Sequence, residues 1–216
     1  MKFIVTCGPS FEPIDEVRRL TNFSSGELGV LLTEQLVAAG HEVFCLKGSG
    51  ATHRDPAANA RCHVRRFDTN DDLLARLREL GAVAPEIRAV FHAAALCDYR
   101  VAMVRDDAGH ACASAKIASR SGALTLTLEP ATKVIHELRP LFPRSVLVGW
   151  KYELTGTRDD ALARVRRQFA EARTDVCVLN GRAAGAGFTV CDPAGNTSQW
   201  PTKAALCAEL VRRVAG

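Results

Sequence analysis

No apolar run in this 216-residue chain is long enough to cross a bilayer, and no leader of basic then apolar residues opens it. Neither a membrane nor a secreted protein is expected; the cytoplasm is. No C-x-x-C occurs among the eight cysteines, and no Cys/His set has zinc-finger spacing, which argues against a disulfide framework or a metal site. Cys7, Cys45 and Cys177 lie in apolar strand-like runs, where a free thiol acts as a small hydrophobe. The six histidines are scattered. Strong charge is missing too: the net +4 is spread along the chain, which suits phosphorylated small molecules and is too diffuse for nucleic acid. Gly48-Ser49-Gly50 lacks the third glycine of a dinucleotide fingerprint and follows the second strand rather than the first, so a Rossmann NAD motif is absent where it belongs. There is no internal repeat and no low-complexity tract.

What is present is a composition of 47% hydrophobic and 24% charged residues, enough for one domain over residues 1–216 with a full core. Phe3 to Cys7 reads as a buried strand, and Gly26 to Ala39 as an amphipathic helix with Gly40 placed to end it. Glu42 to Lys47 is a second strand, so the order strand–helix–strand implies parallel pairing and a right-handed crossover. Val64 to Phe67 reads as a short strand, Asp71 to Leu80 as a helix, and Ile87 to Ala94 as a central strand apolar on both faces. Val101 to Leu128 breaks this rhythm. Asp106-Asp107-Ala108-Gly109 is a turn signal and Leu124 to Leu128 alternates, which predicts an antiparallel flap at about 100–130. Ser145 to Trp150, Arg158 to Arg173 and Thr174 to Leu179 continue as strand, helix and strand. Phe188 to Trp200 is a closing hairpin and Thr202 caps a last helix. The fold class expected is α/β: a Rossmann-like, doubly wound, mostly parallel sheet with an antiparallel flap and a C-terminal hairpin.

The chain is organised around Val5 to Gly29, VTCGPSFEPIDEVRRLTNFSSGELG. A strand stopped by Gly8-Pro9, a long loop able to pack and pair, and a helix opened by Ser24-Ser25-Gly26 together make a cradle for an anion. Free N–H groups and the helix dipole converge there, and two hydroxyls are added. The plainer alternative makes Ser24 or Ser25 only a helix cap. Asp98 stands just past the C-terminal end of the strand that finishes in Ala93-Ala94-Ala95, the edge at which open α/β sheets bind ligands; as a turn or cap residue it would do no chemistry.

The order G-x-x-x-E-P-I-D-x-V-R-x-(I/L)-x-N-x-S-S-G-x-x-G, carried here from Gly8 to Gly29, resembles the signature of the phosphopantothenoylcysteine synthetase family, amide-forming ligases of coenzyme A synthesis. Ala93 to Tyr99, Lys116-Ile117 and Asn180 at the end of the sixth strand extend the likeness over nearly the whole chain. Departures are visible. Cys7-Gly8-Pro9-Ser10 stands where Gly-Gly-Thr is usual and retains a hydroxyl at Ser10. Lys116-Ile117-Ala118-Ser119 replaces Lys-Ile-Lys-Lys, and Ala131-Thr132-Lys133 replaces Asn-Pro-Asp. Both, with Trp150-Lys151-Tyr152-Glu153, are closer to the eukaryotic form.

The resemblance implies that 4′-phosphopantothenate and L-cysteine are joined through an acyl-nucleotidylate made from CTP or ATP, with Mg²⁺, in a homodimer. It implies Asn22 and Lys116 as catalytic residues, the first a donor to the tetrahedral centre and the second a cation for the phosphates. Gly8, Ser10, Ser24, Ser25, Gly26, Asp98, Trp150 and Lys151 would hold the phosphates and nucleotide, and Asn180 and Phe188 would shape the substrate pocket. Two rivals stand beside it. One is the flavin-dependent decarboxylase of the following step, which needs a catalytic histidine at an Asn-rich loop, a grouping the chain lacks. The other is a non-catalytic nucleotide-sensing module, which the altered Lys116 and Lys133 stretches would suit.

Overall fold

The structure is a computed structural model that describes residues 1–112, 115–118 and 122–215. Ser119, the last residue of the expected Lys-Ile-Ala-Ser motif, lies outside the described residues. Chain order is β1 (Lys2–Cys7), β2 (Phe11–Pro13), β3 (Arg19–Thr21), α1 (Glu27–Ala38), β4 (Glu42–Gly48), β5 (Cys62–Phe67), α2 (Asn70–Gly81), β6 (Ile87–His92), β7 (Tyr99–Arg105), β8 (Thr125–Pro130), α3 (Val134–Leu141), β9 (Val146–Tyr152), α4 (Arg158–Ala172), β10 (Val176–Asn180), β11 (Phe188–Cys191), β12 (Thr197–Trp200) and α5 (Lys203–Ala215). The main sheet runs β12-β11-β10-β9-β6-β1-β4-β5. Its six strands from β5 to β10 are parallel, and β11 and β12 are antiparallel at one edge. This is the expected doubly wound sheet with its closing hairpin.

Period-two alternation sends neighbouring side chains of each strand to opposite faces. Phe3 and Val5 of β1 pack with Leu32, Leu36, Leu206 and Leu210 of α1 and α5. Ile4 between them packs with Leu73, Leu77 and Leu138 of α2 and α3. β1 is therefore buried on both sides, as a parallel strand must be. After β5 the chain returns across β1 to lay β6 on its other side, so the strand order reverses between β1 and β6. Ligand crevices in such sheets open at the carboxyl ends of the strands at this reversal.

Two elements differ from expectation. The loop after β1 contains a small hairpin, β2 paired with β3, whose strands are too short for a periodic signal. The segment after β8 forms α3, an element not expected from the sequence; its Pro140 lies in the last turn, so the hydrogen bond it removes is one at the very end of the helix. The flap is as expected, β7 pairing antiparallel with β8, with a register shift between Val101 and Met103. Tyr99, Met103 and Leu128 lie exposed on it.

The β2–β3 hairpin grips the segment that follows the flap's outward strand. The Asp15 side chain is 1% exposed and accepts from the N–H groups of Val17, Arg18 and Ile117 and from the Arg18 guanidinium. These donors, the guanidinium foremost, hold its carboxyl well below the usual carboxylate range. Arg18 also donates to the Ile117 carbonyl at 2.7 Å, and Glu16 N donates to Ala115 O at 3.0 Å.

His92 ends β6 deep in the sheet, its Nδ1 2.8 Å from the Thr6 hydroxyl. Burial pulls its imidazole down to about 4. A histidine kept neutral by folding lowers stability as pH falls, because the unfolded chain takes up the proton first, near pH 6.5, and the folded chain only near 4. Its contribution is fully present above the unfolded value and shrinks through that window, by about 3 kcal/mol in all. Urea unfolding of the protein and of His92→Gln at pH 7.0, 5.5 and 4.5 should show a shallower loss for the variant; parallel losses would contradict the assignment.

Candidate active site

Glycines set the distance between α1 and β1. A Cβ on Gly29 would lie 2.2 Å from the Cβ of Cys7, so the first turn of α1 rests directly on the end of the strand. Gly8 and Gly26 both have φ of +78°, and a side chain on either would run into Ala51, at 2.8 and 3.2 Å. Ala51 belongs to the loop after β4, and that loop is tied down from within. Buried Lys47 donates to the carbonyls of His53 and Arg54, at 2.5 and 2.8 Å, and to the Asp55 carboxylate at 2.9 Å. Arg66 donates to both Asp55 oxygens. His53 N in turn donates to Ser25 O at 2.9 Å, so the loop backs the turn that opens α1.

That helix start is unsatisfied. Threonine hydroxyls accept from the first turns of α2, α4 and α5, in Thr69, Thr157 and Thr202. The cap position of α1 is Gly26, in the left-handed conformation, and no side chain closes it. Ser25 Oγ accepts only from Glu27 N, at 3.3 Å. The N–H groups of Leu28 and Gly29 belong to the first turn, where a helix offers no acceptor of its own. With the positive end of the helix dipole beside them, they face a cleft of about 730 Å³.

The cleft lies at the carboxyl edge of the sheet, where the strand order reverses. One wall is Asn22 to Gly29, a second is Ala93 to Leu96 with Asp98, and a third is Trp150 to Glu153 with Asn180 and Phe188; Lys203 closes it from α5. Ala95 N donates to Gly8 O at 2.9 Å, which lays the small-residue wall alongside the turn after β1. Asn22 Nδ2 donates to Leu96 O at 2.8 Å and spans the two walls. Phe23 beside it is fully exposed. At the mouth Asp98 pairs with Lys133 and Glu153 with Arg164. Lys203 pairs with Glu27, whose carboxyl is lowered by the contact.

Of the residues singled out from sequence, Asn22, Ser24, Ser25, Gly26, Asp98, Trp150, Lys151, Asn180 and Phe188 line this one cleft. Three do not. Gly8 lies behind Gly26 and shapes the turn. Ser10 is a correction: it is fully buried, and its hydroxyl accepts from Cys97 N at 2.8 Å, so it braces the turns rather than facing a ligand. Lys116 is exposed, outside the cleft, on the segment the hairpin grips. Glu27 and Lys203 also line the cleft and Lys133 pairs with Asp98, and none of the three is given a site role by the sequence. Lys133 and Lys203 each had a local signal, at the Asn-Pro-Asp position and beside the Thr202 cap, but nothing local places Lys203 176 residues away against Glu27.

The protein-family model described as DNA/pantothenate metabolism flavoprotein C-terminal domain (DFP) matches residues 1–215. The coenzyme A biosynthesis bifunctional protein CoaBC of Thermococcus kodakarensis is 30% identical over 186 residues, which cover 83% of this chain and 41% of that protein. The chain spans about half the length of the curated relatives it matches. In fold it resembles the DNA/pantothenate metabolism flavoprotein of Streptococcus pneumoniae, with a TM-score of 0.85 at 23% identity over 100% of this chain and 98% of that one. The C-terminal domain of a CoaBC protein superposes with a TM-score of 0.74 at 22% identity, covering 99% and 93%.

Gly29→Ala should push α1 off β1. A core that must absorb one extra carbon at this spacing loses about 1–3 kcal/mol. Pyrophosphate affinity, read by calorimetry, should fall with it, because the N–H groups move from their seat. A variant with unchanged melting temperature and affinity would show that the contact is not the one that places the helix.

Proposed function

The chain belongs to the DFP family of DNA/pantothenate metabolism flavoprotein C-terminal domains, and on that premise we propose that it is a ligase joining 4′-phosphopantothenate to L-cysteine at the expense of a nucleoside triphosphate. The observation that carries this is the uncapped start of α1, seated against the end of β1 with Ser24, Ser25 and Asn22 in the same cleft. Its relative from Thermococcus kodakarensis bears the name of a coenzyme A biosynthesis protein, which supports the choice of substrates.

In the first half-reaction a carboxylate oxygen of phosphopantothenate attacks the α-phosphorus of the nucleotide, and the bond to the bridging oxygen breaks to release pyrophosphate. In the second, the cysteine amine attacks the acyl carbon, loses a proton, and expels the nucleoside monophosphate to leave an amide. Charge grows first on the leaving pyrophosphate, where the N–H groups of Leu28 and Gly29 and the hydroxyls of Ser24 and Ser25 meet it. Orientation of the two reactants comes from the cleft walls formed by Ala93 to Leu96 and by the start of α1. Asn22 reaches between those walls, and its amide, which donates to Leu96 O in the structure, donates to the acyl oxygen as the tetrahedral centre forms. Trp150 and Phe188 offer flat surfaces for the base, Asn180 and Lys151 polar groups beside it, and Asp98 a carboxylate for the ribose or base. Lys116 serves the phosphates only after the gripped segment moves. Both CTP and ATP are expected to be used, because Trp150 and Phe188 accept either base by stacking.

Among the described residues no group of three His, Cys, Asp or Glu is placed to ligate a metal. Mg²⁺ would enter this function with the nucleotide and would supply positive charge to its phosphates. No histidine is among the described residues lining the cleft, so this lining does not offer the catalytic histidine that flavin-dependent decarboxylation needs. The flap carries exposed Tyr99, Met103 and Leu128, and a homodimer that covers them belongs to the same proposal.

Rapid-quench sampling of pyrophosphate and amide tests the whole. The protein should release pyrophosphate only when phosphopantothenate is present, and amide only when cysteine is added. Asn22→Asp replaces a donor by a carboxylate that repels the forming oxyanion. It should give a burst of about one pyrophosphate per site with amide formation slowed about 100-fold or more. Equal loss of both products would remove Asn22 from the second step, and no pyrophosphate from the unaltered protein with either nucleotide would overturn the function.

A further inference from the structure

We infer that Lys203 is a ligand of the terminal phosphates of the nucleotide, and that Glu27 holds its ammonium in place before the nucleotide binds. The inference rests on the ligase function above for the presence of a triphosphate and adds to it a residue from the far end of the chain.

Lys203 is the first residue of α5, and Thr202 Oγ1 accepts from Ala205 N at 3.2 Å, so its backbone is fixed by a capped helix start. The rest of α5 is locked onto α1. Leu206, Cys207 and Leu210 pack with Leu32 and Leu36, and Gln35 Nε2 donates to Ala204 O at 3.4 Å. These contacts bring the ammonium of Lys203 onto the carboxylate of Glu27, both half-buried and both lining the cleft. Glu27 is the first residue of α1, adjacent to the free N–H groups of Leu28 and Gly29.

Charge decides what this pair does. A carboxylate in the first turn favours the helix dipole when nothing is bound. Once a triphosphate sits on the same N–H groups, that carboxylate becomes a like charge beside it. Lys203 offsets it and, lining the same cleft as Leu28 and Gly29, can turn its ammonium to the phosphates. Of the lysines lining the cleft, Lys151 stands on the opposite wall, so Lys203 is the cation next to α1. A terminal phosphate group carries more negative charge than one carboxylate and competes for the ammonium. The ligand class is a polyphosphate anion: a nucleoside triphosphate or free pyrophosphate.

A double-mutant cycle in binding, measured by calorimetry on the full chain with pyrophosphate, the triphosphate and the monophosphate, tests this. Lys203→Ala should weaken the triphosphate and pyrophosphate about 10- to 100-fold, the effect of losing one charged hydrogen bond, and leave the monophosphate nearly unchanged. Lys203→Arg should recover most of the affinity. Glu27→Gln should bind at least as well as the unaltered protein, and Glu27→Gln with Lys203→Ala should stay as weak as Lys203→Ala. If the double variant regains full affinity, Lys203 only cancels Glu27 and the inference fails. It fails equally if Lys203→Ala binds all three ligands normally. A melting temperature that falls with no change in affinity would mark a structural ion pair and also overturn it. The outcome is separable from that of the ligase: a protein that binds pyrophosphate through Lys203 yet forms no amide would retain this inference and lose the function.

Discussion

The close contact of α1 with the end of β1 is the constraint on which the site depends. Gly29 lets the helix settle onto Cys7, and Gly8 and Gly26 let two turns and Ala51 meet where side chains would collide. The gain is positional. A helix start held against a strand end cannot turn its N–H groups away, and with glycine at the cap no side chain closes off those of Leu28 and Gly29. Burial supplies the energy that keeps the arrangement, through the apolar layer that α1 shares with α5. Because α5 belongs to the same layer, Lys203 is fixed by the same packing.

Polar groups hold the surroundings. Lys47 is buried with three acceptors, which is how a buried ammonium is tolerated, and leaving any of them unpaired would be costly. That lysine keeps the loop after β4 against the back of the cradle. On the other side, Asp15 and Arg18 attach the hairpin to residues 115–117, so the flap is linked to the loop that carries Asn22. Both networks act on backbone, one behind the helix start and one at the mouth. The cleft is thus built from turns fixed at several points rather than from a single rigid element.

Much of this was legible in the sequence. The parallel strands and the helices α1, α2, α4 and α5 follow from periodicity, and the flap from its turn signal and alternation. Nine of the twelve expected site residues share one cleft, because the strand ends that carry Asp98, Trp150 and Asn180 are neighbours in any sheet of this winding. The misses have local causes. β2 and β3 are three residues each, too short to show a period, and their pairing is set by the Asp15 turn. Ser10 offers a hydroxyl in either direction, and only the fold shows it turned to Cys97. Lys116 was placed by likeness, and the segment that bears it is positioned by the hairpin. Glu27 and Lys203 meet through tertiary packing alone, which no window of sequence reports.

The central claim is that the free N–H groups at the start of α1 receive the phosphates of a nucleotide. Titrating ¹⁵N-labelled protein with CTP or ATP and following the amide resonances tests it most directly. The account predicts that the largest shifts fall on Ser25 to Gly29, with Leu28 and Gly29 moving downfield as they gain an acceptor, and that Ala94, Ala95 and Asn180 follow. Shifts confined to residues away from this turn, or none at saturating nucleotide, would contradict it.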